Sequence, residues 1–316
     1  MRSFGLMKSL RNILLRTFGG NPQPADTPRE ADEAVDLPAG FRMFVHPEDD
    51  LGFRRNRYYE VEETALCERL VKHGDRVLDV GANIGYFTLL LARLVGPDGE
   101  VFSFEPDPEH FSLLTRSVAL NGFGQVRAFN EAAGAGPATL RLYRSGVNSG
   151  MHRLYESVVC SAEYVTVPVC RIDAKITGPV DFIKLDIEGY EWFALRGMDV
   201  MVRNSPNVTL LMEFSPLSMW EAGYSPLEVL SLLEAWGMNL HRSVDGAWRS
   251  CSLSALRAAI ERLPETEVLA LKADSRGKSF EAILHASESF LRRHDYPYPM
   301  FENILLLRRP LDLKPA

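Results

Sequence analysis

The stretch RVLDVGANIGYFTLLLARL, from Arg76 to Leu94, decides the fold. Its first five residues form a short apolar run, a glycine-containing turn follows, and apolar residues then recur at helical spacing until Gly96-Pro97. Gly81 lets the backbone approach a ligand without a Cβ in the way, and Gly85 allows close packing where the helix begins. The stretch therefore predicts a strand, a tight turn and a helix, in that order.

The alternation of strand and helix continues along most of the chain and breaks in the middle, where two extended segments flank a polar loop. Such alternation predicts right-handed crossovers and a parallel sheet. We therefore expect an α/β protein with a doubly wound, mostly parallel seven-stranded sheet flanked by helices. The seven strands are predicted at residues 76–80, 100–105, 125–130, 181–185, 208–213, 238–243 and 303–307.

Composition changes divide the chain into four segments. Residues 1–18 are basic and amphipathic, and the proline-rich residues 19–40 resemble a linker. Residues 41–243 form the predicted catalytic domain, and residues 244–316 a helical segment whose final strand completes the sheet. Residues 1–18 either contact an anionic membrane surface or dock on their own domain.

Charge and cysteine content restrict the partners. The 316 residues carry a formal net charge of -7, which disfavours nucleic acid as a partner. The four cysteines lack zinc-site spacing, and no apolar run is long enough to span a bilayer. These features predict a cytoplasmic protein, with peripheral membrane contact through residues 1–18 as an open alternative.

An acidic residue, Glu105, ends the strand that follows the glycine turn. An acid at this place bonds the hydroxyl pair of a ribose, so the turn and the acid together predict an adenosine-containing ligand. The turn lacks the middle glycine of a dinucleotide site, and Asp79 would repel a pyrophosphate. A cationic ligand, S-adenosylmethionine (SAM), fits better. The predicted cofactor residues are Asp79, Gly81, Ala82, Asn83, Gly85, Tyr86, Glu105 and Pro106.

Several motifs resemble those of FkbM-type methyltransferases. They are LDVGANIGYFT, FSFEPDP, the NGF at Asn121, DFIKLDIEGYEWFALRGM with LLMEF after it, the Tyr59-Glu60 pair and NILLLR near the end. The resemblance covers roughly residues 58–243. It implies a Rossmann-like class I fold, SAM as the methyl donor, and an oxygen acceptor in a natural product or glycan.

Candidate catalytic residues lie where strands of the predicted sheet end. They are Asp186, Lys184, Glu188 and Glu213, with His152 as a second candidate base. Clustered carboxylates raise one another's pKa, which suits a base, and they also suit a cationic donor. Asp186 and Glu213 could instead hold Mg²⁺, whose preferred ligands are oxygens. Capping of the following helix is an alternative role for the acids after Asp186.

Two other functions stay open from the residues alone. The first is an NAD(P)-dependent oxidoreductase on a related sheet, which the missing middle glycine disfavours. The second is a non-catalytic binding module at a membrane, which the retained carboxylates disfavour. The interpretation we carry forward is a SAM-dependent O-methyltransferase.

Overall fold

The structure, a computed structural model, describes residues 33–308. The basic segment 1–18 and most of the predicted linker lie outside this range. Among the described residues, no helix has the length and apolar character needed to cross a bilayer.

The centre of the fold is an eight-stranded sheet. Its strands are β3 (Arg76–Val80), β4 (Glu100–Phe104), β5 (Val126–Phe129), β9 (Phe182–Leu185), β10 (Thr209–Phe214), β11 (Asn239–Val244), β12 (Ala247–Cys251) and β13 (Glu302–Leu307). Their order across the sheet is β12-β11-β13-β10-β9-β3-β4-β5. The strands from β10 to β5 pair in parallel, whereas β13 lies antiparallel between β10 and β11. The predicted doubly wound α/β fold is confirmed.

Two smaller sheets accompany the central one. β1 (Glu33–Leu37) and β2 (Phe41–Val45) form a hairpin, and β6 (Ala132–Ala133), β7 (Ala138–Ser145) and β8 (Cys160–Cys170) form a three-stranded sheet. A short 3-10 helix, Ser149–Met151, lies in the loop between β7 and β8.

Twelve helices fall within the described range. They are α1 (Phe53–Asn56), α2 (Val61–Leu70), α3 (Tyr86–Val95), α4 (Pro108–Leu120), α5 (Ile172–Lys175), α6 (Glu191–Gly197), α7 (Asp199–Arg203), α8 (Pro216–Glu221), α9 (Pro226–Ala235), α10 (Leu253–Ile260), α11 (Glu265–Ser275) and α12 (Phe280–Arg293). Asp107 caps α4: its carboxylate accepts from the backbone N–H of Glu109.

Each face of the sheet has its own core because strand side chains alternate between faces. Val77 and Phe182 pack with α2, α3 and the β1–β2 hairpin. Leu78 and Ile183 pack on the opposite face with α6, α9 and α10. Both faces are therefore covered, which explains why these strands are almost continuously apolar.

Two expectations about the fold were wrong. The sheet has eight strands because Asp245 and Gly246, both at positive φ, turn the chain back from β11 into β12. The linker predicted at 19–40 is too long, since β1 lies inside it and pairs with β2 across a turn at Gly40.

Candidate functional site

The strand register brings the predicted residues to one edge of the sheet. Val80 pairs with Phe104 on one side and with Leu185 on the other. The residues that directly follow these three strands are Gly81, Glu105 and Asp186. They therefore lie side by side at the edge of the sheet. β4 lies on one side of β3 and β9 on the other, so the direction in which the chain adds strands to the sheet reverses at β3. In open α/β sheets, ligands bind at such a reversal point.

The glycine turn is fixed by the approach of two backbones. Gly81 has a φ of +88°, and a Cβ there would lie 1.8 Å from the carbonyl oxygen of Asp186. Only glycine fits, and the reason is contact within the protein rather than the ligand approach that the sequence suggested. At Gly85 a Cβ would meet the Leu114 side chain at 3.1 Å, as expected for close helix packing.

The carboxyl group of Glu105 connects the glycine turn to the end of β4 by hydrogen bonds. The backbone N–H of Asn83 donates to its Oε2 at 2.7 Å, and the N–H of Asp107 donates to its Oε1 at 2.8 Å. Burial raises the pKa of Glu105 to about 8. The carboxyl group is thus held in place from two sides at the edge of the sheet.

A cavity opens at this edge of the sheet. Its wall combines the ends of β3, β4 and β9 with the loop after β7. The predicted site residues on the wall are Gly81, Asn83, Glu105, Pro106, His152, Asp186 and Glu188. One cavity therefore joins four of the eight predicted cofactor residues to two of the candidate catalytic carboxylates.

Some predicted cofactor residues lie elsewhere. The Asp79 carboxylate is buried and accepts from Thr88 Oγ1 at 2.6 Å, and the N–H of Ala82 donates to the Phe104 carbonyl. Tyr86 packs among aromatic rings that include Phe53, and its hydroxyl lies 3.1 Å from Thr64 Oγ1. These three residues, like Gly85, are absent from the cavity wall and have structural contacts that account for them.

Three carboxylates meet beside the cavity. Oxygens of Asp186, Glu188 and Glu213 all lie within 4.8 Å of one another, which would suit a divalent cation. Burial, opposed by Arg153, raises the pKa of Glu188 to about 7. Burial and the charge of Glu188 hold the pKa of Glu213 well above its usual range. The predicted grouping of Asp186 with Glu213 is present, and Glu188 completes it.

Lys184 supports Asp186 from inside the fold. Its Nζ donates to Asp186 Oδ2 at 2.7 Å and lies 3.9 Å from Glu60 Oε2. Burial would lower the pKa of Lys184, but Asp186 and Glu60 outweigh it and raise the pKa above its ordinary value. Lys184 is therefore a buried cation that fixes the orientation of Asp186.

His152 lies at another part of the cavity wall. Its Nε2 is 3.8 Å from Asp107 Oδ2, and its ring lies 4.9 Å from that of His110. Burial and His110 lower the pKa of His152 to about 4, so the ring is neutral near pH 7. Asp107, His110 and His152 could also surround a cation, but Arg144 Nε already lies 3.3 Å from Asp107 Oδ2 and opposes one.

Two residues beside the site, one buried and one half-buried, were not predicted. Arg153 donates to Glu188 Oε2 at 3.2 Å and to Glu221 Oε2 at 2.9 Å. Burial, opposed by Lys184, raises the pKa of Glu60 to about 8, and Glu60 has a φ of 40°. The Tyr59-Glu60 pair was noticed in the sequence only as a family-like flank. For Arg153 the adjacent His152 was the sole local signal.

The residues present fit SAM. Glu105 stands where a ribose is bound in this type of sheet, and the carboxylates of Asp186 and Glu188 share the same cavity wall. Negative groups at that end suit the sulfonium and ammonium charges of SAM.

Comparison with known proteins gives a family match over residues 79–240, described as the methyltransferase FkbM domain. "Methyltransferase 1" of Beauveria bassiana is 28% identical over 145 residues, which are 39% of this chain and 58% of that protein. "Methyltransferase sdnD" of Sordaria araneosa is 26% identical over 203 residues, 52% of this chain and 74% of that protein. The chain thus spans less than two thirds of the first relative.

Solved structures give a weaker likeness. A crystal structure of methyltransferase FkbM from Methylobacillus flagellatus is 20% identical, with a TM-score of 0.37, and the alignment covers 56% of this chain and 42% of that one.

Proposed function

We propose that this chain, which belongs to the methyltransferase FkbM domain family, uses SAM to methylate a hydroxyl oxygen of a small molecule, natural product or glycan. The observation that carries this proposal is the meeting of Asp186, Glu188 and Glu213 beside the cavity that contains Glu105 and the glycine turn. Because the chain belongs to a methyltransferase family, we do not propose the NAD(P)-dependent oxidoreductase that the residues alone left open.

Methyl transfer to a hydroxyl needs alignment and removal of a proton. When bound, SAM supplies an electrophilic methyl group on a positively charged sulfur. The protein must hold the acceptor oxygen in line with it and provide a base. Glu188 suits this role, since a pKa of about 7 lets it accept a proton near neutral pH and release it again.

A second mode of catalysis would use the same three carboxylates as ligands of Mg²⁺. Asp186, Glu188 and Glu213 offer oxygens, the donors that Mg²⁺ prefers. A bound cation would lower the pKa of an acceptor hydroxyl, whose proton could then pass to water rather than to a protein base. In either mode Lys184 keeps Asp186 oriented, and Arg153 keeps Glu188 oriented.

The oxygen acceptor is tested by incubating the protein with methyl-labelled SAM and with extracts of the cells that produce it, fractionated by polarity. We expect label in a product that mass spectrometry and NMR identify as a methyl ether. The variants Asp186→Asn and Glu213→Gln should lose most of the transfer, whereas Glu261→Gln, at an exposed acid, should keep it. A product methylated on nitrogen or carbon would refute the oxygen acceptor.

Chelation separates the two catalytic modes. If the carboxylates act alone, dialysis against EDTA leaves the rate unchanged. If a cation assists, the rate falls and returns when Mg²⁺ is added.

A further inference from the structure

The most exposed large apolar side chains lie together at one place in the part of the chain that the structure describes. Tyr58, just before α2, and Val61, its first residue, are 66% and 64% exposed. Val244, at the end of β11, is 41% exposed. It adjoins Ser243, whose hydroxyl donates to the carboxylate of Glu62, the neighbour of Val61, at 2.7 Å. Single exposed apolar side chains are ordinary, whereas a group of them marks a contact surface.

We propose that this surface, formed by Arg55, Arg57, Tyr58, Val61 and Val244 and named here the α1–α2 face, rests on an anionic phospholipid bilayer. A tyrosine has an apolar ring and a polar hydroxyl, which suit the level of the lipid headgroups. The two arginines are exposed and offer guanidinium groups to lipid phosphates. The inference goes beyond the proposed function, which does not require a membrane.

The exposure of Tyr58 belongs to the folded backbone. Arg57 and Glu60, on either side of it, have φ values of 55° and 40°, in the left-handed region. The next ring, that of Tyr59, packs inward against Phe53 with 5.1 Å between the ring centroids. Left-handed backbone is costly for residues other than glycine and persists where the surrounding structure imposes it. The fold therefore holds Tyr58 in solvent at a cost in free energy.

The segment that carries the α1–α2 face borders the cavity at both of its ends. At one end, the Asp50 carboxylate accepts from the backbone N–H and the hydroxyl of Ser149, which lines the cavity. At the other end, Glu60 lies 3.9 Å from Lys184, the lysine that supports the candidate catalytic carboxylates. The exposed residues lie between these two contacts in the chain. A bilayer under this face therefore lies beside the rim of the cavity.

The residues that precede the described chain join it beside the same face. Glu33, the first residue of β1, pairs with Val45, and the carbonyl of the following His46 accepts from Arg54 of α1 at 3.3 Å. Residues 1–18 contain four basic and no acidic side chains. Basic residues near a bilayer are attracted to anionic headgroups. The charge of this segment therefore complements an anionic surface, and the segment enters the fold next to the apolar residues.

Two exposed acids, Glu62 and Asp245, lie beside the face and offset the charge of its two arginines. The face should therefore bind the bilayer mainly through its apolar side chains, while residues 1–18 supply the preference for anionic lipid. This division predicts that a substitution of Val61 weakens binding to anionic vesicles but leaves them preferred over neutral ones.

Tryptophan introduced into the full chain tests the contact. Val61→Trp and Val200→Trp are a matched pair, because Val200 is 55% exposed and lies in α7, toward the edge where the strands begin. The four native tryptophans set the background. Vesicles contain equal parts of phosphatidylglycerol and phosphatidylcholine, with or without bromine on the acyl chains. We expect them to shift the emission of Val61→Trp to shorter wavelength and the bromine to quench it, whereas Val200→Trp emits as in buffer.

Vesicle co-sedimentation measures how much the face contributes. Val61→Asp should bind the anionic vesicles about tenfold or more weakly than wild type, because it replaces apolar area by a charge, and Val200→Asp should stay within about twofold. Thermal unfolding at the wild-type temperature shows that each variant is folded. None of these readouts uses methyl transfer, so they are independent of the proposed oxygen acceptor.

Three results would overturn the inference. The first is no binding of the wild-type protein to anionic vesicles. The second is equal binding by Val61→Asp and wild type, or equal quenching of the two tryptophan variants, which would assign the contact to residues 1–18 alone. The third is an emission shift of Val61→Trp that grows with protein concentration without vesicles, which would show that the face joins two copies of the chain.

Discussion

The substitution Gly81→Ala examines the contact on which the whole site depends. An alanine Cβ at this position would begin 1.8 Å from the Asp186 carbonyl oxygen, and such contacts have to open to at least 3.0 Å. The obstacle is backbone rather than a flexible side chain. Either the glycine turn or the start of the Asp186 turn must therefore move by more than 1 Å.

The magnitude follows from two separate penalties. A left-handed backbone costs a non-glycine residue about 1–2 kcal/mol. Overpacking in a tight interior adds about 1–3 kcal/mol. Gly74→Ala is the matched control, because Gly74 has a φ of +85°, close to that of Gly81, and nothing within 4 Å of its Cβ position. The control should pay only the first penalty.

Chemical denaturation and calorimetric SAM titration measure the two effects. We expect Gly74→Ala to lose about 1–2 kcal/mol of unfolding free energy and to bind SAM normally. Gly81→Ala should lose about 2–5 kcal/mol, and its turnover should fall on the order of 100-fold because Asp186 is displaced. If both variants lose the same stability and keep the same SAM affinity, Asp186 does not lie against the turn as described.

Three further predictions concern Tyr86, Glu105 and the protons released on SAM binding. Tyr86→Phe should keep its SAM affinity and lose about 1 kcal/mol of stability with the Thr64 hydrogen bond, as calorimetry and denaturation will show. Glu105→Gln should weaken SAM binding. It should also flatten the stability curve: because the folded pKa of about 8 lies above the unfolded value, Glu105 lowers stability as pH rises from about 4.5 to 8. Near pH 7, SAM binding should release protons, since a cation favours ionised Glu105 and Glu188, and titrations in buffers of different ionisation enthalpy detect this.

The parts of the fold that follow from local pattern were predictable. Apolar runs gave the seven expected strands, and the register of β3 with β4 and β9 then placed Gly81, Glu105 and Asp186 together. The eighth strand was missed although Asp245-Gly246 is a typical hairpin turn. The β1–β2 hairpin was missed because proline and acids before Phe41 outweighed the short apolar alternation.

The site was harder to predict where it depends on tertiary contact. Arg153 and Glu188 lie 3.2 Å apart, yet no periodicity relates them. Tyr86 stands at the first helical position after the turn, where a ligand contact and core packing give the same sequence pattern. The Tyr86 side chain packs against Phe53, which precedes the central sheet in the sequence, and it therefore does not face the cavity.

Two features at this edge of the sheet, strained backbone and buried carboxyl groups, cost free energy in the folded protein. Asn83 and Glu188 line the cavity with positive φ, and Glu60, which faces Lys184, shares that conformation. Backbone of this kind costs about 1–3 kcal/mol at each non-glycine residue. Burial also raises the pKa of Glu60, Glu105 and Glu188, so ionising them in the folded protein costs free energy. A cationic ligand lowers the free-energy cost of ionising the carboxyl groups and leaves the cost of the strained backbone unchanged. The strained backbone therefore serves to place carboxylates before the ligand arrives, and the free energy of binding a sulfonium donor is the term that offsets their burial.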